Sequence, residues 1–129
     1  MKIYVNPDTL PHNPAFTQAI VVEAPSKTIY VGGQNGITAD GSLAGDTLAD
    51  QARQALRNVE SVLTAAGAKL TDIVRWTIAI VEGHPLADGF AAFREAWGDH
   101  GDPPTIGVHV VSGLANPRFL VEIDAIAAV

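Results

Sequence analysis

The sequence contains no cysteine among its 129 residues. This absence excludes disulfide bonds, a thiolate nucleophile and any metal site that needs sulfur ligands. Histidine and carboxylate ligands remain, but His12, His84 and His100 are far apart in the sequence and lack the spacing of a ligand set. We therefore expect neither a metal site nor a cofactor.

Basic residues are also scarce, since eight Lys and Arg stand against 14 Asp and Glu, for a formal charge of −6. Surfaces that bind nucleic acid or anionic membranes need clustered cations, so the composition argues against both partners. It is still compatible with a local basic pocket. The N-terminal residues lack the charged and then apolar pattern of a secretion signal. No apolar run is long enough to span a membrane. We expect a cytoplasmic protein.

Hydrophobic residues make up 47% of the chain, enough for one globular domain over residues 1–129 with a buried core. Apolar residues recur at helical spacing from Thr47, and Gly67 stands where such a helix would end. A second apolar stripe from Leu86 to Trp97 predicts another helix.

Strands are predicted at residues 2–5, 18–23, 28–32 and 73–81, with the second and third joined as a hairpin. The segment 73–81 has little polar content, as expected of a central strand. This order of elements predicts an α+β fold in which two helices cover one face of a sheet. Because the other face also carries valine and alanine, it needs a partner, and the sequence suggests self-association.

Two runs rich in β-branched residues, 103–111 and 119–127, flank a short connection at 112–117. They predict two antiparallel strands and a loop. If the loop is symmetric, Gly107 lies opposite Glu122.

The same symmetric loop would place Thr105 opposite Asp124. Side chains alternate along a strand, so one face of the predicted hairpin is mostly polar. That face carries Thr105, Gly107, His109, Glu122 and Asp124.

Residues 14–20 and 29–34, together with this C-terminal region, resemble the RidA/YjgF family. The family pattern runs Tyr-Ser-Gln-Ala, then Ser-Gly-Gln, then Pro-x-Arg-Ser and finally Glu-Ile-x-Ala-Ile-Ala. The likeness covers nearly the whole chain. It implies a RidA and chorismate-mutase-like fold with a mixed sheet, assembled as a homotrimer whose sheets form a central barrel. It also implies three clefts for a small-molecule ligand between neighbouring subunits.

Glu122 is the predicted catalytic residue. The resemblance implies that its carboxylate lies in the cleft and positions the water that attacks a substrate imine, which is work suited to a general base. The alternative is a solvated or subunit-bridging glutamate on a strand, since charged residues usually stay at the surface. Asp124 follows on the same face, but two carboxylates at i and i+2 do not flank a bond as a glycosidase pair does.

Thr105 stands where the family's deaminases carry an arginine that binds a substrate carboxylate through two parallel hydrogen bonds. Threonine offers one hydroxyl and no charge, so it could bind a neutral ligand or simply favour a strand. Phe16 replaces the family's tyrosine and keeps a ring without its hydroxyl. The predicted substrate-binding residues are Phe16, Thr17, Gly32, Gly33, Thr105 and Gly107.

Two hypotheses follow. The protein is a RidA-like homotrimer that binds a small, uncharged metabolite, as a divergent hydrolase or without catalysis, or it is an active deaminase of 2-imino acids. Because Thr105 carries no guanidinium, the sequence favours the first and predicts little hydrolysis of imino acids. His109 on the polar face could be a replacement functional group or an interface residue. Arg118 lies about 13 Å along the strand from Glu122, too far to replace the arginine within its own subunit.

Overall fold

The computed structural model describes residues 1–129, which form six strands and two helices. A short 3-10 helix, Leu70–Asp72, precedes the fourth strand. The elements are β1 (Lys2–Val5), β2 (Ala19–Val22), β3 (Thr28–Gln34), α1 (Leu48–Ala65), β4 (Ile73–Val81), α2 (Leu86–Trp97), β5 (Thr105–Val111) and β6 (Val121–Ala128). The predicted α+β class is confirmed. No helix has the length and apolar content needed to cross a membrane.

Helix α1 follows the predicted periodicity closely. The hydroxyl oxygen of Thr47 accepts a hydrogen bond from the backbone N–H of Asp50 at 3.1 Å and caps the first turn. After the last turn, Gly67 adopts a φ of +76°, a left-handed conformation that glycine reaches without steric cost. The helix buries one apolar stripe against the sheet, made of Leu48, Ala52, Ala55, Leu56, Val59 and Leu63.

The main sheet has the strand order β3-β6-β4-β5. β4 and β5 run parallel and are connected through α2, because parallel neighbours need a crossover connection. β6 lies between β3 and β4 and is antiparallel to both. The sheet is therefore mixed, as predicted, and its two helices cover one face.

The predicted hairpin of the last two strands was wrong, because β5 and β6 do not pair. Gly107 does not lie opposite Glu122, nor Thr105 opposite Asp124. β6 buries alternate side chains and forms hydrogen bonds along both edges, which suits an interior position. β5 lies at the sheet edge, where Val108 remains exposed.

The predicted hairpin of residues 18–23 and 28–32 was also wrong. β2 pairs with β1 in a separate two-stranded sheet, whereas β3 joins the main sheet beside β6. The connection contains Ala24 in a left-handed conformation with a φ of +43°. The chain therefore moves from one sheet to the other at this turn.

The main sheet has one face covered by helices and one face without them. Trp76, Ile78 and Ile80 of β4 are buried on the helix side. Alternate residues point the other way and are half-buried or exposed. We call this second side the open face, and its members include Arg75, Thr77 and Ala79 of β4, Thr105, Gly107 and His109 of β5, and Glu122 and Asp124 of β6.

Candidate functional site

The open face is ordered in rows of residues paired across three strands. One row joins His109, Ala79 and Glu122. The next joins Gly107, Thr77 and Asp124, and the third joins Thr105, Arg75 and Ile126. The five residues predicted to share a polar face do share it, although β4 separates those of β5 from those of β6.

Glu122 lies against Gly33 of the neighbouring strand β3. A Cβ atom at position 33 would lie 2.7 Å from Cδ and 2.9 Å from Oε1 of Glu122, so a side chain there would displace the carboxylate. The pairing of β3 with β6 shifts between Val31 and Gln34, as in a β-bulge, and Gly33 lies within that irregular stretch. A Cβ atom at position 32 would meet no other part of the chain within 4 Å, apart from the residues next to it in sequence.

The carboxylate of Glu122 is half-buried and has no ion-pair partner in the chain. An ionised carboxylate has about four acceptor positions, and none of these is taken up by a cation of the same subunit. Glu122 can therefore hold a water molecule and accept a proton from it.

Thr105 uses its hydroxyl within the sheet. The hydroxyl donates to the backbone oxygen of Val74 at 2.7 Å and links β5 to β4. Its one hydrogen is therefore not directed at a ligand. This contact favours the structural interpretation of Thr105 over a substrate-binding role.

Arg75 is a residue of this face that the sequence interpretation missed. A Cβ atom at position 107 would lie 2.8 Å from Nη2 of Arg75, so the guanidinium occupies the space above Gly107. The same position lies 3.6 Å from Nε2 of His109. A sequence signal was available, because Arg75 is the single charged residue of β4, a strand that is apolar apart from Arg75 and Thr77.

Thr17 and Phe16 do not belong to the open face. Thr17 is 2% exposed. Its hydroxyl donates to the oxygen of Pro103 at 2.6 Å, and its N–H donates to the oxygen of Pro104 at 3.2 Å, so the residue fixes the N-terminal loop to the segment before β5. Phe16 is half-buried on the helix side of the sheet.

Phe16 lines a cavity of about 550 Å³ between α2, the N-terminal loop and the helix side of β4 and β5. The walls are mainly aromatic and apolar, and Arg94 also lines the cavity. Trp76 contributes to the wall, and its indole Nε1 is buried without a hydrogen-bond partner. The sequence-predicted binding residues are thus divided between two sides of the sheet.

The remaining candidates lie elsewhere. Arg118 donates from Nη2 to Oδ1 of Asp46 at 3.3 Å, on the exposed surface near the start of α1. His12 and His100 are exposed and His84 is half-buried. No group of three or more His, Asp and Glu side chains is arranged to hold a metal ion.

The protein is therefore of the α+β class, with a mixed sheet that two helices cover on one side and a polar open face on the other. The Endoribonuclease L-PSP family model matches residues 9–129. The chain therefore belongs to this family, which is the RidA/YjgF family that the sequence resembles.

Among curated relatives, the 2-iminobutanoate/2-iminopropanoate deaminase of Rattus norvegicus is 32% identical over 116 residues, covering 88% of this chain and 79% of the relative. Among solved structures, the Rid-family protein YyfB from Yersinia pestis superimposes with a TM-score of 0.87 at 31% identity, covering 99% of this chain and 98% of the other. Escherichia coli TdcF with bound serine gives a TM-score of 0.73 at 27% identity, covering 84% of each chain.

Proposed function

We propose that the protein is a homotrimer whose clefts between neighbouring subunits bind a small metabolite and hydrolyse it with Glu122. The observation that carries this proposal is the distance between the two ends of the open face. The guanidinium of Arg75 lies over Gly107 on β5, whereas the carboxylate of Glu122 lies against Gly33 on β3. Three strand spacings separate β5 from β3, or about 14 Å.

A small ligand cannot bridge that distance within one subunit. A four-carbon acid spans roughly 5 Å, since its carbon–carbon bonds are about 1.5 Å long. If a ligand contacts both groups, the β5 end must therefore come from one copy and the β3 end from another. The exposed β5 edge and the half-buried open face leave room for such a copy.

In the proposed reaction, Glu122 acts as general base on a bound water. The water oxygen attacks the carbon of a C=N bond while the carboxylate takes the water proton. The protonated Glu122 returns this proton to the nitrogen, which gives an intermediate with a hydroxyl and an amine on the same carbon. The hydroxyl proton then passes through Glu122 to the amine as the C=O bond forms and the C–N bond breaks, so ammonia and a carbonyl compound are released. In this proposal the backbone amides of Gly32 and Gly33 polarise the substrate, because glycine lets a ligand approach the backbone closely.

A second candidate function is the deamination of 2-imino acids themselves. It is supported by the curated relatives named 2-iminobutanoate/2-iminopropanoate deaminase, including the rat protein. The two candidates differ in whether the ligand carries a carboxylate. Release of ammonia from 2-iminobutanoate faster than in buffer alone is the result that would select the deaminase.

The first test concerns the assembly. Light scattering is expected to give a mass three times the 13.5 kDa of one chain at micromolar concentration. The physical reason is that a trimer covers the open face and completes each cleft. A stable monomer at that concentration would contradict the intersubunit cleft and the function derived from it.

A further inference from the structure

The arginine on the open face lies where the sequence lacks the family's guanidinium. Arg75 pairs with Thr105 in the sheet register, but its Nη2 lies beside Gly107, two residues further along. The side chain therefore runs about 7 Å along the sheet. The hydroxyl of Thr105 is held by the oxygen of Val74, and position 107 has no side chain. Thr105 and Gly107 therefore leave space for the guanidinium of Arg75.

This guanidinium has no counter-ion in its own subunit. The ion pairs of the chain use Lys2, Arg53 and Arg118, and none uses Arg75. The carboxylate in the row of Gly107 belongs to Asp124, two strand spacings or about 10 Å away. The planar fork of Arg75 is therefore available to accept an anion through two parallel hydrogen bonds.

Assembly would make the lack of a counter-ion for Arg75 energetically costly. If a second subunit covers the open face, it removes water from Arg75, and a charge buried without a partner is strongly destabilising. An anionic group of a ligand bound in the cleft would form an ion pair with the guanidinium and neutralise its charge. A carboxylate fits the fork best, because its two oxygens match the spacing of the guanidinium donors.

We propose that Arg75 binds the carboxylate of the ligand, with Gly107 providing the space for its guanidinium. The ligand class is then a small 2-oxo or 2-imino acid, in place of the uncharged metabolite that Thr105 suggested. This inference rests on the proposed function, because it assigns the ligand of the same cleft. In this chain the guanidinium would come from β4, whereas in the family's deaminases it comes from the position of Thr105 on β5.

The test compares two stable probes by isothermal titration calorimetry. 2-Oxobutanoate carries the carboxylate, and 2-oxobutanamide has the same shape without the charge. Wild-type protein is expected to bind 2-oxobutanoate about 10- to 100-fold more tightly than the amide, the range of a charge-assisted hydrogen bond. Arg75→Gln is expected to lose this preference.

Further variants separate the position of the charge from other effects. Gly107→Ala keeps the arginine but displaces its guanidinium, so it is expected to weaken carboxylate binding as well. In an Arg75→Gln background, Thr105→Arg returns a guanidinium to the neighbouring strand and is expected to restore the preference. Arg57→Gln makes the same substitution at an exposed arginine of α1 and serves as the control.

Four outcomes would overturn the inference. Wild-type protein could bind the amide as tightly as the acid, or bind neither probe. Arg75→Gln could bind the acid as wild type does. Finally, light scattering could show that Arg75→Gln no longer forms the wild-type assembly, which would assign Arg75 to the subunit interface. Equal binding of acid and amide would leave the proposed cleft intact, whereas a monomeric wild-type protein would remove the cleft itself.

Discussion

Replacing Glu122 with glutamine is expected to lower the kcat for hydrolysis of 2-iminobutanoate by at least about 100-fold, the usual contribution of a general base. The amide keeps the shape of the side chain beside Gly33 but cannot accept the proton of the attacking water. Ammonia release from the imine generated in situ from threonine measures the rate. Affinity for 2-oxobutanoate and the mass in solution are expected to stay close to wild type.

Asp124→Asn is the matched control, because it removes the same charge from the same strand and face. Its expected kcat is close to wild type, since the register places Asp124 one row away from Glu122. If both variants lost activity to the same extent, the general negative charge of the face would matter and Glu122 would not be the base. Full activity in Glu122→Gln would remove the proposed mechanism altogether.

Mixed trimers are expected to recover activity that neither parent variant has. In an assembly of Glu122→Gln and Arg75→Gln subunits, some clefts combine an intact Arg75 from one chain with an intact Glu122 from its neighbour. Random assembly from equal amounts gives about a quarter of such clefts, since each must draw one particular chain on either side. Co-expression with two affinity tags and the ammonia assay measure this. Activity no higher than that of the parent variants would show that no cleft combines Arg75 of one chain with Glu122 of another.

Local patterns were sufficient for the individual elements of the fold. The helical period from Thr47 to Gly67 and the apolar stripe from Leu86 to Trp97 both depend on residues within a few turns of one another. The bounds of β4 follow from the same kind of information, because a run of β-branched residues ends at a glycine turn. These elements were predicted at or close to their observed bounds.

The pairing of the strands could not be read in the same way. Residues 103–111 and 119–127 carry the signals of neighbouring strands, yet β6 inserts between β3 and β4. That choice depends on hydrogen bonds to β3, which is about 90 residues away in the sequence. It also depends on α2, which leads the chain from β4 to a parallel neighbour.

The candidate site shows the same division. Alternation along each strand correctly placed Glu122, Asp124 and His109 on one face, because it does not depend on the strand order. The guanidinium of Arg75 was missed because its position over Gly107 requires the parallel pairing of β4 with β5. Phe16 was assigned to the ligand cleft on the resemblance alone, and its ring lies on the helix side of the sheet of its own subunit.

The core prediction with the largest effect on stability concerns Leu56 of α1. Its side chain is 3% exposed, belongs to the buried stripe of α1 and lies near Ala92 and Ala96 of α2. Leu56→Ala is expected to lower the free energy of unfolding by about 2–5 kcal/mol, since the change loses buried surface and leaves a cavity.

Val62→Ala on the same helix is the control, because Val62 is 37% exposed and its truncation leaves no cavity. Its expected effect is within about 0.5 kcal/mol. Denaturant unfolding at one fixed protein concentration measures both, since the stability of an oligomer depends on concentration. Equal midpoints for Leu56→Ala and the wild type would show that Leu56 is not part of the packed core.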